Sequence, residues 1–222
     1  MSEMPPPALR EEVARTLRPV QPLSSPGRRA LALFPLGLAV SLVVLLVWGV
    51  REDAPQIGPL RLWGGTVLQI AVALVVMGAA LAESMPGRLG SLRQVATRAL
   101  LGLGFMVALT IVTFMASPTY VPPPLAGGYV RVCSLGSFSV GLVPLAAVGL
   151  MMLAGLTARP ALAGAVAGLG AGLISDAGWR LYCRASDPAH VLTTHLGVIA
   201  ALCVAGLLAG ASLPMLQRLR RG

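Results

Sequence analysis

The residues best able to do chemistry lie close together late in the chain. The stretch LYCRASDPAHVLTTH, residues 181–195, holds Cys183, Asp187, His190 and His195, and Cys133 precedes Cys183 by fifty positions. Thiolates and imidazoles are the ligands that suit zinc and softer heavy-metal ions. Two thiols in an oxidising compartment can instead form a disulfide, which requires Cα atoms within about 7 Å of each other. Three arrangements follow: a metal site from Cys133, Cys183, His190 and His195 that binds zinc or a heavy-metal ion, a disulfide between the cysteines, or two unconnected thiols. Only half of the usual zinc pattern of paired cysteines and paired histidines is met. At about 100° per residue, His190 and His195 stand roughly 140° apart on a regular helix, an awkward spacing for one ion. Cys203 lies in an apolar run and reads as a small hydrophobe. Asp187 followed by Pro188 reads as the N-cap and first residue of a helix.

The elements that must position these residues are membrane helices. Of the 222 residues, 56% are hydrophobic and 11% charged, and the mean hydropathy is +0.81. Soluble domains carry about 25% charged residues. Runs of about 20 apolar residues cross a hydrocarbon core of roughly 30 Å, and their unbroken character selects helices over a barrel. The expected fold is all-α, a polytopic bundle of six transmembrane helices: 30–50, 65–83, 97–116, 134–156, 160–178 and 188–214. Residues 1–29 form a tail with a short amphipathic helix, 30–215 the six-span domain, and 216–222 a basic C-terminus.

An even number of spans puts both termini on one side. All 17 basic residues are arginines, against 8 acidic ones, for a net charge of +9. Twelve fall on the side of the termini: Arg10, Arg15, Arg18, Arg28, Arg29, Arg88, Arg93, Arg98, Arg159, Arg218, Arg220 and Arg221. Five fall on the other: Arg51, Arg61, Arg131, Arg180 and Arg184. The positive-inside rule makes the termini cytoplasmic. Trp48, Trp63, Tyr120, Tyr129, Trp179 and Tyr182 all fall near the outer span ends, as an interfacial aromatic belt would. Cys133 and Cys183 then face the outer compartment. Scattered over loops and termini, the arginines meet lipid headgroups and form no nucleic-acid site.

Small residues four apart at Gly164, Gly168 and Gly172 of the fifth span, and at Gly206 and Gly210 of the last, predict close packing of these two spans within the bundle over a specific dimer interface. Pro35 and Pro144 predict kinks. Glu83 and Asp176 sit at span ends, and Asp176 can pair with Arg180 one turn on. The span centres lack the paired ionisable residues of an ion path, which opposes the alternative of a membrane transporter or metal permease. The lack of a C-x-x-C pair opposes a thiol oxidoreductase. No enzymatic activity and no small-molecule substrate are expected. In the tail, Leu9, Val13 and Leu17 recur every four residues along 8–17, an apolar stripe that can lie on lipid or dock into a cytoplasmic partner.

The marks RPVQPLSSPGRRAL before the first span, MPG at 85–87, VCSLG at 132–136, RPALAGAVAGLGAG at 159–172 and YCRASDPAHVLTTHLG at 182–197 resemble the NrsF family of bacterial six-span membrane anti-sigma factors. The resemblance runs from about residue 10 to 221. It implies an inner-membrane protein that sequesters an extracytoplasmic-function sigma factor and releases it on periplasmic thiol oxidation or metal stress. It also implies that Cys133 and Cys183 belong to the sensing element and that Leu9, Val13 and Leu17 contact the sigma factor. One departure stands out: Arg184 follows the second cysteine where the family usually has proline.

Overall fold

The computed structural model describes residues 6–16, 23–85, 87, 90–118 and 123–219, without the side chains of 123–126 and 129. Among the described residues there are helices and no strand. Six of the helices are long and apolar enough to cross a membrane: Pro26–Trp48, Leu60–Ala82, Leu92–Ala116, Val130–Leu153, Pro160–Trp179 and Pro188–Leu219. These are referred to below as the first to sixth spans. A separate helix, Pro7–Thr16, precedes them.

The fifth span is the centre of the bundle. From Ala163 it is buried at nearly every position through Trp179, and the second, sixth, fourth, first and third spans all pack on it. A helix surrounded on all sides needs small side chains, and its sequence, PALAGAVAGLGAGLISDAGW, is largely alanine and glycine. The expected close pairing with the sixth span is present. A Cβ at Gly164 would overlap the Gly206 carbonyl, one at Gly168 the Leu202 carbonyl, and one at Gly210 the Pro160 carbonyl. Backbones that approach this closely gain dispersion contacts without the hydrophobic driving force that lipid removes. The third span sits at the periphery and turns Leu100, Leu101, Val107, Ile111 and Met115 outward, where acyl chains are the natural neighbours.

Several local expectations change. The first span is interrupted at Ala32–Leu33, and its second part, Phe34–Trp48, carries Pro35 in its opening turn. There the missing N–H removes no helical bond. The helix bearing the fourth span begins at Pro123 and continues through Pro144 to Leu153. Cys133 is therefore inside a helix rather than at its outer mouth. Two wide π-turns, Leu60–Gly64 and Val191–Leu196, open the second and sixth spans. Asp187 caps the sixth as expected, its carboxylate accepting from the His190 N–H at 2.9 Å. Trp179 is fully buried and so is a core residue, not part of an interfacial belt. Tyr120 and the Tyr129 side chain lie outside the described residues.

At the end where the first span begins, buried charge joins the loops. Glu83 accepts two hydrogen bonds from Arg159, each 2.7 Å, and the same guanidinium donates to the Gly90 carbonyl at 2.6 Å. Arg29 bonds the Ser84 hydroxyl and the Met151 carbonyl.

Gly168→Ala should lower the thermal midpoint of the detergent-solubilised protein, at a cost of about 1–3 kcal/mol for forcing two packed helices apart. Gly104, with nothing within 4 Å of an added Cβ, is the control: Gly104→Ala should be neutral or stabilising, by up to about 1 kcal/mol. Equal responses would remove the helix-crossing explanation.

Candidate functional site

At the opposite end, four side chains from three segments converge. Cys133 comes from the fourth span, Cys183 from the loop after the fifth, and His190 and His195 from the start of the sixth. The two Sγ atoms are 3.5 Å apart, and Cys183 Sγ is 3.3 Å from His190 Nε2. One ligand atom from each residue lies within 4.8 Å of the others, and all four residues are buried. The cysteines are thus packed inside protein instead of lying open to the outer compartment, and they are not joined by a disulfide.

The histidine spacing that looked awkward is resolved by the π-turn. Hydrogen bonding from i to i+5 widens the helix at Val191–Leu196, so residues five apart stack on one face where a regular α-helix would splay them. The two imidazole rings meet edge to face, with centroids 5.4 Å apart. Cys183 is accordingly paired both with the distant Cys133 and with its near neighbour His190.

Asp176 orients the second imidazole. Its Oδ1 is 2.7 Å from His195 Nδ1, while Oδ2 accepts from Arg180 Nε at 2.8 Å and Gln69 Nε2 at 2.6 Å. The Arg180 pairing was expected; the His195 and Gln69 pairings were not. A single glutamine in the apolar second span was the available signal. An ionised carboxylate only accepts, so Nδ1 carries a proton, and in the neutral ring Nε2 is the bare nitrogen. His195 Nε2 is buried with no hydrogen-bond partner among the described residues.

The Cys183 thiol is pulled well below its ordinary pKa, first by the hydrogen bond from Cys133 and then, against the opposing effect of burial, by His190 and the nearby His195. A thiol poised toward thiolate is the nucleophilic and metal-binding form. Trp179 closes one side of the site, with Trp48 at 4.9 Å and Tyr182 at 5.4 Å between ring centroids.

Arg51 straps the loop that carries Cys183. Its guanidinium donates to the Arg184 carbonyl at 3.2 Å and to Ser186 Oγ at 3.0 Å, and its backbone N–H bonds the Leu181 carbonyl at 2.9 Å. It is itself held by Asp53 through bonds of 2.6 and 2.8 Å. Burial pushes the Asp53 carboxyl up, but Arg51 and Ser117 outweigh it and hold its pKa below the usual carboxylate range. Glu52 pairs with Arg184 alongside. Arg184, the departure from the family pattern, therefore has a local partner and contributes its carbonyl to the strap.

Compared with known families, residues 13–214 match a family model described as negative regulator of sigma F. The chain belongs to the NrsF family. No curated protein and no solved structure matches it. Membership makes it a negative regulator with a sigma factor as its partner, and the six spans make it a multi-pass membrane protein. The match includes Val13 and all four residues of the cluster, and begins after Leu9.

The strap can be tested by thiol reactivity. Arg51→Ala should speed labelling of Cys183 by a membrane-impermeant maleimide by about tenfold or more, since the loop loses its ties to the first connection. Unchanged labelling kinetics would show that another element limits access.

Proposed function

We propose that this NrsF-family chain is a bacterial inner-membrane anti-sigma factor. On this reading it holds an extracytoplasmic-function sigma factor on the cytoplasmic side and releases it when a thiol-reactive metal ion reaches Cys133, Cys183, His190 and His195 from the periplasm. The supporting observation is the convergence of four donors within 4.8 Å. Zinc–sulfur bonds near 2.3 Å and zinc–nitrogen bonds of about 2.0–2.1 Å give a tetrahedron with edges of roughly 3.3–3.8 Å. The 3.5 and 3.3 Å separations in the cluster lie in that range.

Uptake of a divalent ion by two thiols and two neutral imidazoles displaces two protons, leaving the buried charge unchanged. The ligands belong to the fourth span, the sixth span and the loop between the fifth and sixth, so drawing them together alters how these helices meet. Occupancy at a hundred times the dissociation constant shifts a conformational equilibrium by about 2.7 kcal/mol, a hundredfold change in population, if only one state binds. Two termini-side features suit the readout. The arginine excess there supports a cytoplasmic tail. Within helix Pro7–Thr16, which has no buried residues, Leu9 is 53% and Val13 47% exposed. This stripe is available to a sigma-factor groove; Leu17 lies outside the described residues.

A second reading, oxidation, is favoured by the 3.5 Å approach of the two Sγ atoms, which must close to about 2.05 Å to bond. Two thiols would then give a disulfide, two protons and two electrons, the electrons passing to an external oxidant. The crosslink is worth about 2–4 kcal/mol.

Full-length protein should co-purify with a sigma factor, and Leu9→Asp with Val13→Asp should abolish the capture; retention rules out docking through the stripe. Zinc and cadmium should bind in chelator competition, and Cys133→Ser, Cys183→Ser, His190→Ala and His195→Ala should each weaken binding by at least about tenfold. If the histidine variants bind and respond like the parent while the cysteine variants do not, the oxidation reading replaces the metal reading.

A further inference from the structure

We infer that Asp176 is a positioning residue for the cluster: it holds His195 in the one tautomer and orientation that aims a bare Nε2 at the thiols. The inference rests on the metal-binding reading above. Three observations carry it. His195 Nδ1 is 2.7 Å from Asp176 Oδ1, a geometry that makes Nδ1 the protonated nitrogen. The other nitrogen is buried and unpartnered among the described residues, although it stands beside three further donor side chains. Finally, Asp176 cannot swing inward to become a ligand itself. Its Oδ2 is clamped by Arg180 at 2.8 Å and Gln69 at 2.6 Å, and Gln69 is in turn held by the Leu173 carbonyl at 3.1 Å.

Arg180 is anchored from its other side by the Met106 carbonyl and the Thr110 hydroxyl of the third span. The carboxylate thus has a fixed counter-charge, and only Oδ1 is left for the imidazole. A carboxylate behind a ligating histidine fixes the ring and raises its basicity, and losing such a partner costs about 10–100-fold in metal affinity. The same carboxylate joins the ligand set to the second span through Gln69 and to the third through Arg180. A movement of His195 is therefore felt by helices that contribute no ligand.

The test uses the full-length protein in detergent, with zinc alone as the probe in competition with a chromophoric chelator. Asp176→Asn should weaken binding by about 10–100-fold. Combined with His195→Ala it should add nothing to the His195→Ala loss, because the aspartate acts only through that ring. Asp176→Glu, which keeps a carboxylate, should recover part of the affinity. Wild-type affinity in Asp176→Asn overturns the inference, as do losses that add in the double variant, which would mean that the residue acts through general packing. A measurement on the unaltered sequence covers the case of a variant that does not fold. The chain has only two histidines, so nitrogen-15 histidine NMR of the metal-free protein, with His190→Ala for assignment, should show His195 protonated at Nδ1. An Nε2–H tautomer overturns the inference. Failure of the parent protein to bind zinc removes the metal reading and the inference with it. Tight binding by the parent and by Asp176→Asn alike removes the inference alone.

Discussion

The rest of the structure depends on the approach of two helix backbones. Where Gly164 and Gly168 of the fifth span meet Leu202, Gly206 and Gly210 of the sixth, none of the four glycines has room for a Cβ. Lipid tails are as apolar as leucine, so burial alone does not drive these helices together. Close van der Waals contact between backbones does. This contact also sets a register: with the two helices locked, Asp176 on one falls opposite His195 on the other. The polar site is thus positioned by the apolar crossing below it.

The second constraint is charge. In a bundle surrounded by hydrocarbon, an isolated ion is costly, and buried charges survive where they are paired and hydrogen-bonded. Each end of the molecule follows that rule. Glu83 with Arg159 closes the end where the first span begins, and Asp53 with Arg51 and Asp176 with Arg180 close the other. The cluster of Cys133, Cys183, His190 and His195 is the exception in kind. It is built of groups that can be neutral when empty, of which the two thiols become charged ligands, as thiolates, when an ion arrives. Its surroundings of Trp179, Trp48 and Tyr182 strengthen that exchange by keeping the local dielectric low.

Membership of the NrsF family establishes a negative regulator with a sigma factor as its partner, and the geometry suggests how such a regulator could be addressed. The proposed signal site lies at one end of the bundle, and the first span, which follows the proposed docking stripe in the chain, begins at the other. Between the two ends runs the fifth span, packed against all the others and carrying Asp176 at its site end. A helix so closely surrounded has little freedom to deform gradually, which favours discrete packings over continuous adjustment. The hydrogen bonds of Asp176 reach the second and sixth spans directly and the third through Arg180, and this makes the carboxylate a natural point for such a repacking to begin.

The features legible in the sequence were those that depend on local chemistry or simple periodicity. Six apolar runs read as six spans because hydropathy needs no tertiary knowledge. Asp187 with Pro188 read as a cap because the backbone demands are confined to one turn, and the glycines at 164, 168 and 172 read as a packing face because their spacing repeats. The tertiary structure decided the rest. The burial of Cys133 depends on where its helix starts, and the role of Gln69 depends on which helix stands opposite. His190 and His195 point together only because the sixth span opens with a π-turn. A regular helix sends residues five apart in different directions, and no local signal in VLTTHL announces the wider turn. Packing against the fifth span, with His195 held by Asp176, is what brings both rings to the thiols.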